Sequence, residues 1–154
     1  MIIPMTVAEI ANATNPVAAK LRRRNRRRSA MGAAAMRRRG VKVRQLTLNE
    51  DFDELGRLKQ MLGTNQQSMP GMYGRMYSDP TTETPKAGAV EVWQIANLTG
   101  DTHPIHFHLV NVQIISRQPF KVSNYNGTPT YTGPARPPDP NEAGWKDTVR
   151  MNPE

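Results

Sequence analysis

The sequence predicts an all-β sandwich or barrel carried behind a basic arm, and three observations predict it. Short runs rich in β-branched residues at 41–48, 90–98 and 105–116, set between turn residues, are the best strand candidates. Proline and glycine recur from Pro70 onward, at Pro80, Pro85, Gly88, Gly100, Pro104, Pro119, Gly127, Pro129 and through 133–140, as turns between short strands require. The formal charge of +8 is unevenly placed: 12 basic residues and one acid (Glu9) precede Gln45, whereas nine basic and 12 acidic residues follow. A basic arm, residues 1–44, therefore joins a mildly acidic body, residues 45–154.

A chain of 154 residues allows one domain, or one domain and a tail. The body of roughly 110 residues is long enough for a single core. No apolar run approaches the ~20 residues of a membrane-spanning helix. The absence of cysteine excludes disulfides, thiolate metal sites and cysteine nucleophiles within this sequence. The opening Met1-Ile2-Ile3-Pro4-Met5 lacks the charged and apolar regions of a secretory signal, and localisation stays open.

Within the arm, residues 1–20 are small and partly compatible with a helix, until Asn12, Asn15 and Pro16 interrupt it. Arg22-Arg23-Arg24-Asn25-Arg26-Arg27-Arg28 and Arg37-Arg38-Arg39 then place nine arginines in 18 residues with no aromatic among them. Such a stretch cannot bury itself, so the arm is expected to be disordered or partly helical. It offers phosphate contacts through charge alone, and the missing aromatics argue against sequence-specific RNA recognition.

In the body, residues 49–62 resist the β reading. Acids open the segment, Lys59 lies near its end, and Leu55, Leu58 and Leu62 recur at helical spacing, although Gly56 weakens a helix there. Asn97-Leu98-Thr99 and Asn12-Ala13-Thr14 match the glycosylation acceptor pattern, which carries no weight without a secretory route.

All three histidines lie in Thr102-His103-Pro104-Ile105-His106-Phe107-His108-Leu109-Val110. On a strand, residues two apart share a face, so His106 and His108 could aim two imidazoles at one metal or at two adjacent ones. An unbroken strand would continue that face through Val110, Val112 and Ile114. Pro104 removes a backbone donor, which assigns His103 to the preceding loop, pointing elsewhere. Hydrogen-bonded histidines at a sandwich edge are the plain alternative, but a cluster in this spacing favours metal binding. Imidazole suits zinc, copper, iron and nickel, and a zinc hydrolase or lyase could use such a pair with a third ligand.

The same residues carry a resemblance. Thr102 to Val110 resembles the His-Pro-x-His-x-His motif of multicopper oxidases, in the branch of bacterial spore-coat laccases and bilirubin oxidases. Asp79-Pro80-Thr81-Thr82-Glu83-Thr84-Pro85-Lys86, the run Val90-Glu91-Val92-Trp93, Ser116-Arg117-Gln118-Pro119-Phe120, Tyr131-Thr132-Gly133-Pro134 and Gly144-Trp145-Lys146-Asp147-Thr148-Val149 fit that branch in the same order. The resemblance spans about residues 43–152. It implies a cupredoxin-like Greek-key β-sandwich, the third domain of a three-domain oxidase, incomplete at its C-terminus. It also implies strand and loop where the leucine spacing suggests a helix. By this resemblance His103 is a ligand of type 1 copper, His106 of type 2 copper and His108 of the type 3 pair, with copper as the cofactor and no catalytic residue beyond the metal ligands. Family members are often spore-coat, periplasmic or secreted proteins.

The departures matter equally. A type 1 site needs a cysteine thiolate, and the family's His-Cys-His segment is absent. The expected function is thus a copper-binding part of a laccase-like oxidase whose partners are other chains or domains of the enzyme, and which is inactive alone. Uncovered sheet edges could also favour self-association. A non-catalytic remnant and nucleic-acid binding through the arm are the alternatives. Met61, Met69, Met72 and Met76, near Tyr73 and Tyr77, could hold Cu(I) but fit an ordinary loop and core better. Trp93 and Trp145 fit packing roles, and Asp147 could orient a neighbour by hydrogen bonding.

Overall fold

The computed structural model of the chain describes residues 2–8 and 40–153. Among the described residues seven strands form two sheets: β1 (Ile2–Ala8), β2 (Val43–Phe52), β3 (Leu58–Thr64), β4 (Val90–Asn97), β5 (His103–His106), β6 (Asn111–Ile114) and β7 (Thr148–Met151). The larger sheet has the order β3-β2-β4-β1-β6, and β5 pairs with β7 in the smaller one. The only helical elements among the described residues are 3₁₀ turns at Val122–Asn124 and Pro140–Glu142. This is the all-β architecture that the sequence predicts, and it is consistent with a cupredoxin-like fold.

Strand β4 forms the middle of the larger sheet, parallel to β2 and antiparallel to β1. Both of its faces are covered as well, since residues of both parities, Glu91, Val92 and Gln94 through Asn97, are buried. Leu48, Ile95, Val112 and Ile114 from the larger sheet pack on Val149 and Met151 of the smaller one. Ile105, Phe107 and Trp93 close this core. A second cluster gathers Phe120, Ala96, Leu98, Val122 and Tyr125 under the long connection after β6. Burial there raises the Tyr125 phenol to about 12.

Three sequence expectations change. Residues 49–62 are a β-hairpin, not a helix. Asp53 turns the chain: its carbonyl accepts from Gly56 N (2.9 Å), its Oδ1 accepts from Leu55 N and Arg57 N (both 2.9 Å), and Gly56 takes φ +73°. That left-handed residue after the turn suits glycine, so the residue that weakened the helix makes the hairpin. The leucines at helical spacing, Leu55, Leu58 and Leu62, are all exposed.

Residues 2–8, expected within a disordered or partly helical arm, form β1 between β4 and β6. Its backbone pairs with Val90–Ala96 on one side and Asn111–Ile114 on the other. Two strands with free edges decide this against local propensity, which is the weaker force for a short segment. The arm's other end also joins the fold, since β2 starts at Val43 and Arg44 is buried. The arginine run, residues 22–39, lies outside the described residues.

Finally, 105–116 is not one strand. The chain leaves β5 after His106 and resumes strand at Asn111, with Leu109 at φ 63° between them. His103, expected in the preceding loop, is the first residue of β5, opposite Met151. Pro104 is accommodated because β5 has a neighbour on one side only.

Candidate metal centre

The segment from Asp101 to Val112 owes its shape to the strip 144–148. Phe107 N donates to Asp147 O (2.7 Å), and Val112 exchanges two backbone bonds with Lys146 (2.7 and 2.8 Å). The Asp147 contribution here is its backbone carbonyl, which any residue at that position would offer to the Phe107 amide. Strand β7 is fixed in turn by Arg117, which donates to the Glu142 carboxylate through both terminal nitrogens and to Arg150 O at 3.2 Å. That placement sets Thr148 opposite His106.

His103 and His106, three apart on one strand, project to opposite faces. His103 is half-buried, with Nε2 2.6 Å from Thr99 Oγ1 and 3.3 Å from Glu50 Oε1. His106 is exposed, with Nδ1 3.0 Å from Thr148 Oγ1. His108, although outside the strand, swings back to meet His106 edge to face, with ring centroids 5.0 Å apart. The chain thus brings His106 and His108 together and holds His103 apart. Among the described residues no group of three or more His, Asp or Glu side chains gathers as a complete metal site.

The His106–His108 pair lines a cavity of about 290 Å³ whose wall includes Trp93, Phe107, Glu91 and Lys86. Trp93 packs edge to face on Phe107 at 6.0 Å and donates from Nε1 to Glu91 Oε2 (3.2 Å). Glu91 is also gripped by Arg44, through Nε to Oε2 and through Nη2 to Oε1 (3.0 Å), while Arg44 Nη1 reaches Glu83. The Arg44 hydrogen bonds hold the Glu91 carboxyl below the usual range against the opposing effect of burial, and the same bonds raise Arg44 further. One cavity wall is therefore a fixed, neutralised ion pair.

Sequence reasoning missed Glu50, Thr99, Thr148 and the Arg44–Glu91 pair. Glu50, Thr148 and Arg44 come from far along the chain, and Thr99, four residues before His103, lies in a segment whose pattern says nothing of a histidine partner. Asn97, noted only as a glycosylation pattern, is buried with its amide fully engaged. Of the methionines, Met69 and Met76 are exposed and Met69 pairs with Met72 in a tight turn.

The donor set fits copper in part. Three imidazoles are present, two of them with one ring nitrogen tied to a threonine hydroxyl, as metal-bound histidines commonly are. The sequence holds no thiolate for a mononuclear blue site. A family model for multicopper oxidases matches residues 53–154. The chain belongs to the multicopper oxidase family. A laccase of Bacillus subtilis (strain 168) is 39% identical over 141 residues, covering 90% of this chain and 26% of that protein. A laccase of Bacillus stratosphericus is 41% identical over 111 residues, covering 71% of this chain and 20% of that protein. A Haloferax volcanii laccase is 42% identical over 81 residues, 52% of this chain and 12% of that protein. The chain therefore spans about a quarter or less of the length of these relatives. The first of these matches is too long to stay within the body and reaches into residues 1–44. Copper is the cofactor this family implies, and the chain is a cupredoxin-like part of such an oxidase.

Proposed function

We propose that this multicopper oxidase domain supplies three imidazoles to the copper sites of a laccase-like enzyme: His103 to type 1 copper, His106 to type 2 copper and His108 to the type 3 pair. The observation that carries the reading is the division of the histidines by β5. One four-residue strand sends His103 to one face and His106 to the other, and the following bend returns His108 to His106. A single rigid segment can thereby fix the separation of two metal centres. When bound, copper would supply the one-electron steps that join substrate oxidation to the reduction of O₂ to water.

The protein's own contribution is positional. Thr99 and Glu50 hold the His103 ring, Thr148 holds the His106 ring, and the Phe107–Asp147 bond sets the bend that brings His108 back. Trp93 and Phe107 make an apolar flank, and the Arg44–Glu91 pair keeps a carboxylate beside the cavity without leaving its charge unpaired.

The three imidazoles cannot complete either centre, so the thiolate and the remaining ligands come from other domains or chains of the oxidase. Such a partner would also cover the exposed side chains of Leu58 and Leu62 on β3. Among the described residues no helix is long and apolar enough to cross a membrane. The test is the copper-to-protein ratio after co-expression with candidate upstream and His-Cys-His segments. Substituting all three histidines should abolish the copper contributed by this chain, and the 154-residue chain alone should show no copper-dependent phenol oxidation. Oxidation by that chain alone would contradict the reading.

A further inference from the structure

On the His103 face of β5, away from the cavity, a polar cluster allows its protons to be counted. Asn97 Nδ2 donates to Asp101 O (2.8 Å) and to Met151 O (3.2 Å). Carbonyl oxygens only accept, so the orientation of this buried amide is set and Oδ1 is its acceptor end. That oxygen accepts from Thr99 N (3.0 Å) and lies 2.8 Å from Thr99 Oγ1.

A hydroxyl has one proton to give and two lone pairs to offer. At 2.8 Å Thr99 Oγ1 and Asn97 Oδ1 are too close to meet without a proton between them, and Oδ1 has none to give, so the Thr99 proton goes to Asn97 Oδ1. The lone pairs then receive Asp101 N (3.2 Å) and His103 Nε2 (2.6 Å). A contact that short requires a proton between the atoms, and the hydroxyl proton is already committed. Nε2 must therefore carry the hydrogen. Glu50 Oε1, 3.3 Å from the same nitrogen, also accepts and adds to the preference.

We propose that Asn97 and Thr99 are a positioning pair that locks neutral His103 as its Nε2–H tautomer and leaves Nδ1 as the ring's only lone-pair donor. The tautomer rests on the hydrogen bonds alone. That Nδ1 is then the atom offered to a metal rests on the function proposed above. The arrangement also gives Asn97 a positional role, joining β4 to β7 through Met151 while directing the Thr99 proton.

Long-range ¹⁵N–¹H correlation spectra of the full chain test this at about pH 8, where an ordinary imidazole is neutral. His103 should show a protonated Nε2 and a bare Nδ1. Thr99→Val combined with Glu50→Leu removes both acceptors that face Nε2 and should lower the Nε2–H fraction, while Thr99→Ser in the Glu50→Leu chain should restore it. A wild-type chain with Nδ1–H predominant, or equal Nε2–H fractions with valine and serine at position 99 in the Glu50→Leu chain, would overturn the proposal. If the Thr99→Val, Glu50→Leu chain does not fold, a wild-type spectrum with Nδ1–H predominant still overturns it. Copper uptake is read separately: the expected tautomer together with uptake unaffected by His103→Ala would remove the metal reading and leave the positioning pair standing.

Discussion

His106 and His108 meet edge to face with ring centroids 5.0 Å apart, although β5 ends at His106 and its alternation never reaches His108. The chain bends directly after the pair. Leu109 takes a left-handed backbone there (φ 63°), while its side chain is 89% exposed and gains little from packing. The bend is a local conformational cost sustained by the Asp147 and Lys146 backbone bonds on either side of it.

This makes substitution at Leu109 informative. Leu109→Gly relieves the left-handed strain and should leave stability unchanged or raise it by up to about 1 kcal/mol, the gain being offset by unfolded-chain entropy. Leu109→Val places a β-branched side chain there and should cost about 1–2 kcal/mol. Thermal unfolding of the three chains should rank glycine at or above leucine and valine last. The reverse order would show that the bend is unstrained.

The Arg44–Glu91 pair should behave as a buried ion pair. Its side chains are 6% and 7% exposed, so removing one partner strands the other charge. Arg44→Ala should cost about 3 kcal/mol, and a double-mutant cycle with Glu91→Gln should show strong coupling. Denaturant unfolding measures both quantities. Additive losses would mean that the pair is not an interacting unit.

The same pair predicts an acid dependence. The Glu91 carboxyl is lowered by the Arg44 hydrogen bonds, so the unfolded chain binds its proton more readily than the folded one. The contribution is complete above the ordinary glutamate value, about 4.3, and is lost as pH falls through the lower folded value. Unfolding midpoints should therefore decline below about pH 4.3, and less steeply in Glu91→Gln. Equal slopes for the two chains would contradict this assignment.

Phe120 anchors the second core cluster. It is fully buried and lies edge to face with Tyr125 at 5.9 Å, and Tyr125 meets Tyr73 at 5.0 Å. Phe120→Ala should cost about 3–5 kcal/mol. A loss below about 1 kcal/mol would mean that the long connection after β6 collapses onto the space without penalty.

The β-class, the central strand at Val90–Asn97 and the gathering of the three histidines in one short segment were legible because each is a local pattern of residue type and spacing. The hairpin at Asp53 was partly legible through Gly56, but exposed leucines at a helical period imitated a buried face. The bend at Leu109 was hidden, since a non-glycine left-handed residue leaves no mark in composition and the bonds that sustain it come from Lys146 and Asp147. Strand β1 was hidden for a similar reason: its partners lie roughly 80 to 110 residues away in register. The pairing of His106 with His108 and the separate direction of His103 were also legible, whereas the partners of their rings, Glu50, Thr99 and Thr148, became visible only in the fold.

The most direct test is the copper-to-protein ratio of the chain assembled with segments that supply the missing thiolate and histidines. The account predicts that His103→Ala abolishes the blue mononuclear signal, whereas His106→Ala or His108→Ala removes copper from the multinuclear site and spares that signal. Copper content and spectrum unchanged by all three substitutions would contradict it.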